Sequence, residues 1–176
     1  IGPGGKTGIS VPLENAKSVG ADRIADAAGA YYEYGGPVLI VDFGTATTYD
    51  YVDENGCFSS GAIAVGIESG ANALWGQTAQ LPEVEIKKPA TVMAKNTQTA
   101  MQAGIFYQFL GCFEKTVEAF EKAAGVPFKV IATGGLGRVI CDHTDKIDVY
   151  DPNLIFKGLK RIYEKTREYE LARSKA

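Results

Sequence analysis

The sequence has little of what metal clusters and histidine-based catalysis need. It contains one histidine, His143, and three cysteines, Cys57, Cys112 and Cys141, without the close spacing of metal ligands. These counts argue against a zinc cluster and against a catalytic triad built on histidine. An odd number of cysteines without such spacing is typical of reduced thiols, so we expect a cytoplasmic protein.

Long apolar runs and an excess of positive charge are also missing. No uninterrupted apolar stretch approaches the ~18 residues that a membrane span needs. The formal net charge is −3, which gives no sign of a surface for nucleic acid. We therefore expect a globular protein that binds neither membrane nor nucleic acid.

The most informative stretch that is present is VLIVDFGTATT at 38–48. A run of apolar residues typical of a buried strand leads to Asp42, and Gly44 and three threonines follow. A charge at the end of a buried strand is costly unless it is paired, and glycine lets a backbone approach a ligand closely. Hydroxyls beside main-chain N–H groups favour a phosphate-binding turn with an adjacent cation site. The alternative is a plain hairpin entry, because threonine is a good strand residue.

The residues after this turn favour the first interpretation. TYDYVDEN alternates like a strand, and Asn55-Gly56 predicts a two-residue hairpin. The motif therefore lies between two antiparallel strands, and the Walker pattern G-x-x-x-x-G-K-[ST] is absent. A DxGT turn between two strands resembles the phosphate grip of the actin, sugar-kinase and Hsp70 superfamily.

The remaining pattern predicts an α/β protein with a mixed sheet flanked by helices. We predict strands near Thr7 to Val11 and at 38–43, 47–52, 57–65, 128–135 and 147–150, and helices at 19–34 (Ser18 as a possible N-cap), 68–80, 97–124, 136–142 and from Pro152 onward (Asp151 as N-cap). The order from residue 38 resembles one ribonuclease-H-like half of the actin/sugar-kinase/Hsp70 fold. We assign 38–176 to this C-terminal domain and 1–37 to the end of an N-terminal half.

Six stretches in order resemble one family, type III pantothenate kinase. They are GPGGKTG, GADR, DFGTATT, GAIAVGI, KNT and ATGG. Singly they have simpler explanations, such as a flexible linker, a helix cap or a tight turn. Together they imply ATP-dependent phosphorylation of pantothenate, the first step of coenzyme A biosynthesis. A regulatory relative of the Bvg-accessory-factor kind is the alternative; a third hypothesis, a sugar kinase, is disfavoured by GADR and KNT.

The resemblance also implies roles for individual residues. Asp22 matches the acid that activates the pantothenate hydroxyl, and Asp42 the ligand of a monovalent cation, K⁺ or ammonium. The implied substrate-binding residues are Leu13, Gly20, Ala21, Asp22, Arg23 and Thr97, and the implied ATP-binding residues are Gly44, Thr45, Gly134 and Gly135, with Mg²⁺ accompanying ATP. Leu13 and Val65 depart from the family pattern, which often has an aromatic residue and a proline there.

Two further expectations concern the whole protein. The family's first phosphate motif, D-x-G-N-T, is not in this sequence, so the chain is expected to correspond to the C-terminal part and to be inactive alone. The resemblance also implies a homodimer. The helix at 97–124 carries a second apolar row, Phe106 and Leu110, beside the row Met101, Ile105, Phe109 and Phe113. Such a row favours a partner surface. The alternative is that both rows are buried, one against the sheet and one under the C-terminal helix.

Overall fold

A computed structural model describes residues 6–12, 19–78 and 80–174, which form five strands and five helices. The strands are β1 (Val38–Phe43), β2 (Ala46–Val52), β3 (Phe58–Val65), β4 (Lys129–Thr133) and β5 (Val149–Tyr150). The helices are α1 (Ala21–Tyr34), α2 (Ile67–Gly76), α3 (Thr97–Ala124), α4 (Gly137–Cys141) and α5 (Leu154–Arg173).

The strands form one mixed sheet in the order β3-β2-β1-β4-β5. β1, β2 and β3 pair antiparallel, whereas β4 pairs parallel to both β1 and β5. The apolar run of β1 is buried along nearly its whole length because this strand lies in the middle of the sheet. The predicted mixed α/β sheet, including the antiparallel pairing of β1 and β2, is confirmed.

The sheet has helices on both faces, and strand alternation decides which residues meet which helix. Leu39 and Val41 of β1 belong to the core that α3 completes, with Phe113 among its members. Ile40, which points the other way, shares a second core with Ala27 of α1 and Leu154 of α5. Helices α1 and α3 therefore lie on opposite faces of the sheet.

Helices α1 and α5 approach each other to backbone contact through two glycines. A Cβ on Gly158 of α5 would overlap the carbonyl oxygen of Ala25 in α1. A Cβ on Gly29 of α1 would lie 2.7 Å from the carbonyl oxygen of Leu154. Any larger side chain at these positions would force the two helices apart.

Helix α3 has the predicted bounds, and the chain itself covers its second apolar row. The Asn96 side chain caps the helix by accepting the Thr99 N–H at 2.9 Å. Phe106 is only 2% exposed, and its ring packs perpendicular to the His143 ring, with 5.3 Å between the ring centroids. Leu110 packs against the core below α3. The second row is therefore covered by the chain, as the alternative predicted, but beside α4 and not under α5, which packs with α1 on the opposite face of the sheet. This row gives no argument for a partner.

The hairpin after β2 differs from the predicted two-residue turn. A type I′ turn needs positive φ at both central residues, and here Gly56 has it while Asn55 does not. The connection instead spans residues 53–57, because the Asp53 carboxylate accepts the N–H groups of both Asn55 and Cys57 at 2.9 Å.

Other predicted bounds also shift. Helix α5 begins at Leu154 instead of Pro152, because the Asp151 carboxylate accepts the Asn153 N–H and closes a turn first. In place of a strand near 7–11 there is a single bridge between Ser10 and Cys57. The possible cap Ser18 lies outside the described residues. No helix in the described ranges is long and apolar enough to cross a membrane.

Candidate active site

Four aspartates gather on the face of the sheet that α1 covers, and we call them the acid cluster: Asp22, Asp26, Asp42 and Asp50. Asp22 and Asp26 lie one helical turn apart in α1 and so share a face. Asp42 pairs with Thr48 across β1 and β2, and Asp50 points to the same side as Thr48 because strand residues alternate. The fold thus brings together acids from three elements.

Arg23 is fixed by Asp50 across the cluster. Its Nε donates to both carboxylate oxygens of Asp50 at 3.0 and 3.2 Å, and its Nη2 donates to Oδ1. Gly61 of β3 leaves the room for this pair, since a Cβ there would lie 2.6 Å from Nη2. Burial raises the pKa of Asp50, whereas the hydrogen bonds from Arg23 pull that pKa downward. The guanidinium is therefore held in one place within the cluster.

Asp26 is a buried member, and one of its two carboxylate oxygens lacks a hydrogen-bond partner. It is 4% exposed, and its Oδ1 is shielded from solvent without a hydrogen bond. Burial, and after it the charges of the neighbouring carboxylates with Asp42 first, together raise the pKa of Asp26 to about 7. Sequence reasoning assigned no role to Asp26 or Asp50. Asp50 could have been found from the hairpin register, which places it beside Asp42.

The predicted cation ligand and two predicted ATP-site glycines lie together at the ends of β1 and β4. A Cβ on Gly134, whose φ is +92°, would lie 2.5 Å from Asp42 Oδ1. A Cβ on Gly44 would lie 3.4 Å from Asp42 Oδ2. Burial raises the pKa of the Asp42 carboxyl, and Asp22 and Asp50 add to the effect. Gly135 is exposed and has open space around it.

The three threonine hydroxyls of the turn do not converge, which corrects the expectation of a shared phosphate grip. Thr45 is exposed, and its carbonyl accepts the Ser69 hydroxyl at 2.8 Å. Thr47 is buried on the α3 face, and Thr48 donates to Asp50 at 3.4 Å. The Gly44 N–H is also occupied, by the Ala46 carbonyl at 3.1 Å. Of the three hydroxyls, that of Thr45 is the one exposed to a ligand.

Asp22 stands at the exposed start of α1. Its Oδ1 accepts the Arg23 N–H at 2.9 Å, while Gly20, the N-cap, contributes no side-chain hydrogen bond. A Cβ on Gly20 would overlap the Asp22 carboxylate, so glycine leaves the space that this side chain occupies. Ala21 is exposed beside it.

One predicted substrate-binding residue, Thr97, is not brought to Asp22. Thr97 begins α3, which packs on the other face of the sheet, and it lines an open groove of about 660 Å³ with Leu74, Leu81 and Met101. Leu13 lies outside the described residues. Within the described chain, the Asp22 end and the Thr97 end of the predicted substrate site are therefore separate.

The side chains of the cluster supply hard oxygen donors but do not enclose a metal ion by themselves. Among the described residues, no group of three or more histidine, cysteine, aspartate or glutamate side chains could hold a metal ion. Mg²⁺ in kinase sites is bound through one or two carboxylates and the phosphates of the substrate, which these residues allow. The unpartnered Oδ1 of Asp26 and the carboxylate of Asp42 remain as hard oxygen donors.

Known sequences that resemble this chain belong to one family. A family model for type III pantothenate kinase matches residues 1–119. The chain is 58% identical over 165 residues to a type III pantothenate kinase of Bifidobacterium longum subsp. infantis, covering 94% of this chain and 65% of the relative. It is 48% identical to that of Geobacillus kaustophilus, covering 96% of this chain and 65% of the relative. The chain thus spans about 65% of the length of these relatives.

Solved structures agree on the fold. A conserved putative Baf family transcriptional activator from Campylobacter jejuni superposes with a TM-score of 0.59 at 25% identity, covering 91% of this chain and 69% of that one. The Alp12 filament structure superposes with a TM-score of 0.53 at 11% identity, covering 82% of this chain and 53% of that one. The predicted ribonuclease-H-like half of the actin/sugar-kinase/Hsp70 fold is confirmed.

Proposed function

This chain belongs to the type III pantothenate kinase family, and from that premise we propose that it takes part in ATP-dependent phosphorylation of pantothenate to 4′-phosphopantothenate. The observation that carries the proposal is the acid cluster, where an exposed carboxylate, a fixed guanidinium and a glycine-flanked acid share one end of the sheet. Phosphoryl transfer depends chiefly on positioning and on neutralising charge, which these groups are suited to supply.

Pantothenate offers a hydroxyl to phosphorylate and a carboxylate to recognise. In the proposed reaction, the exposed carboxylate of Asp22 orients the hydroxyl and accepts its proton. Asp50 engages Nε and Nη2 of Arg23, so Nη1 is available for an anionic group such as the pantothenate carboxylate. The backbone at Gly20 and Ala21 flanks the substrate, and Leu13 is proposed to contribute to the same pocket.

ATP is proposed to bind where β1 and β4 end. The exposed Thr45 hydroxyl is the proposed phosphate contact, and Gly44 lets the backbone come close. Gly134 and Gly135 present a surface without side chains on which the adenosine can lie. Mg²⁺ would neutralise the phosphates of ATP, and Asp42 would bind a monovalent cation, K⁺ or ammonium.

We further propose that the protein acts as a homodimer in the cytoplasm. The support is the separation of Asp22 and Thr97 on opposite faces of the sheet, because a second copy can present its Thr97 where one chain cannot. An exposed apolar pair on the edge strand, Ile63 at 65% and Val65 at 54%, offers surface for such a contact. The three cysteines are free thiols, as a reducing compartment would keep them.

ATP-dependent phosphorylation of pantothenate tests the proposal. We would assay the chain alone and the chain joined to the region of the Bifidobacterium relative that it does not span, with the relative itself as positive control. Activity is expected in the joined protein and not in the chain alone, because ATP in this fold is gripped from two halves. A joined protein that is folded but inactive beside an active relative would contradict the kinase assignment.

The second candidate function is a non-catalytic regulator. It is favoured by the likeness to the Campylobacter jejuni protein, which is described as a putative transcriptional activator. The exposed acid at Asp22 argues for the kinase, since a regulator has no need of a group that activates a hydroxyl. A gene-expression phenotype that survives Asp22→Asn, without kinase activity in the wild type, would favour the regulator.

A further inference from the structure

Asp26 is a buried carboxylate that the proposed reaction leaves unused. It is 4% exposed, and its Oδ1 is shielded from solvent without a hydrogen-bond partner. Buried polar atoms are almost always satisfied, so an orphaned one in the middle of a functional cluster points to a ligand. Asp26 lies on the face of α1 that packs against β1 and β2, which directs its side chain toward the acids of the sheet.

The negative charges around Asp26 favour the binding of a cation. Arg23 is engaged by Asp50, and among the described residues no second cation is paired with Asp22, Asp26 or Asp42. Asp42 is the neighbour that acts most strongly on Asp26. Like charges held away from water are stabilised when a cation sits between them.

We propose that Asp26 Oδ1 and the Asp42 carboxylate together bind the monovalent cation of the site, a proposal that rests on the proposed kinase function and its cation at Asp42. Neutral donors at this end of the sheet include the Thr133 hydroxyl, which lies beside Asp42 in the pairing of β1 with β4, and peptide carbonyls. One of these carbonyls is that of Phe43, which would lie 2.6 Å from a Cβ on Gly134, so glycine keeps the space beside it open. Carboxylate and carbonyl oxygens are hard donors that bind K⁺ and divalent ions alike, so the monovalent assignment rests on the proposed kinase function.

This cation would fasten α1 to the sheet. Asp26 belongs to the helix and Asp42 to β1, so an ion between them joins the two elements where Asp22 stands, one turn away. Asp26 is thus a positioning residue that sets where Asp22 meets the substrate.

The experiment measures cation binding directly on the purified chain. Thermal unfolding is followed at pH 7.5 in KCl, in tetramethylammonium chloride of equal ionic strength and in MgCl₂, for the wild type, Asp26→Asn, Asp42→Asn and Asp145→Asn. Asp145 is exposed and outside the acid cluster, so its variant controls for loss of one negative charge. Saturable stabilisation by K⁺ over tetramethylammonium is expected in the wild type and in Asp145→Asn.

Both cluster variants are expected to weaken apparent K⁺ affinity at least about tenfold, the effect of losing one of two charged ligands. Loss in Asp42→Asn with retention in Asp26→Asn would overturn the role of Asp26 while leaving the cation at Asp42. Stabilisation by Mg²⁺ alone would overturn the monovalent assignment. No cation effect in the wild type would overturn the cation site, and the pantothenate assay would still decide the kinase function separately.

A second measurement needs no variant. The carboxyl ¹³C resonance of Asp26 in the wild-type chain is expected to move when K⁺ replaces tetramethylammonium, because the ion contacts that group. An Asp26 resonance that stays in place while K⁺ stabilises the protein would also overturn the proposal.

Discussion

Two aspartates one turn apart in α1 show how burial separates the roles of identical side chains. Asp22 is exposed at the helix start, where a substrate hydroxyl can reach it. Asp26 is enclosed, and burial together with the neighbouring carboxylates raises its pKa to about 7. The first is suited to exchange a proton with a substrate, and the second is suited to hold a proton or an ion.

We predict that Asp22→Asn lowers kcat by about 10²-fold or more in the kinase-active protein, the usual range for a positioned acid–base group. The amide keeps the size of the side chain but cannot accept the proton. Steady-state kinetics with pantothenate and ATP make the test, with Asp145→Asn as control. An increase in KM at unchanged kcat would make Asp22 a binding residue instead.

We predict that Asp26 makes stability fall as pH rises. The folded state holds this proton with a pKa of about 7 against an ordinary value of 3.8. Below about pH 4 both states are protonated and there is no penalty; the penalty grows through pH 7 and is complete above it. At ~1.4 kcal/mol per pKa unit, it reaches at most ~4 kcal/mol.

The measurement is urea unfolding at pH 5 and pH 8 in buffer without K⁺. Asp26→Asn removes this titration. The free energy of unfolding of the variant, relative to that of the wild type, is therefore expected to be higher at pH 8 than at pH 5. An equal difference between the two proteins at both pH values would refute the titration of Asp26.

The sequence could indicate Asp22 and Asp42 because each stands in a motif. It could not indicate the state of Asp26, which depends on α1 docking against strands whose register is set elsewhere. The pairing of Arg23 with Asp50 joins residues far apart in the chain. Alternation along the hairpin was sufficient to predict that Asp50 lies beside Asp42, but it could not predict that Arg23 pairs with Asp50.

At the scale of elements, the contact between α1 and α5 holds the helix that carries Asp22 and Asp26. Gly29 and Gly158 let the two backbones touch. Neither glycine has positive φ, so the close approach is what requires them.

We predict that Gly158→Ala destabilises the protein by several kcal/mol, as overpacking against rigid backbone does. The added methyl group would overlap the Ala25 carbonyl oxygen. Gly104→Ala is the matched control, because this α3 glycine has open space around it and alanine favours helix by about 1 kcal/mol. Chemical denaturation of both variants measures the contrast, and equal effects would contradict the packing argument.

We predict that Phe106→Glu destabilises the chain by at least ~3 kcal/mol, since it places an unpaired charge in the core beside His143. Tyr107→Glu is the control, because Tyr107 is next to Phe106 in the helix but its side chain is 42% exposed. Thermal unfolding of the two variants compares them. An equal loss of stability in the two variants would contradict the burial of Phe106.

Helix and strand bounds followed from sequence where local signals agreed. Helix α3 had a cap in Asn96 and an apolar stripe, and both are present in the structure. The start of α5 shifted because the Asp151 side chain accepts an N–H at 153 and also bonds Tyr34 and Lys157. Such side-chain choices depend on tertiary neighbours that a local pattern does not contain.

At the scale of the molecule, the proposed substrate site, with Asp22 and Thr97 on opposite faces of the sheet, predicts complementation between subunits. We expect light scattering to give a dimer mass at micromolar concentration. Mixing Asp22→Asn with Thr97→Ala in the kinase-active protein should then restore roughly a quarter of the wild-type rate, because half of the dimers are mixed and each carries one intact site. A monomer mass, or no recovery on mixing, would count against a shared site.

The contact between α1 and α5 also orders events during synthesis. These helices are separated by most of the chain, and they share a core with β1. Because contacts distant in sequence form late, we expect α1 to dock only after the ribosome has completed α5. A nascent chain would carry its acid cluster unassembled, with Asp26 still hydrated, and would acquire a binding-competent cluster only after translation of α5.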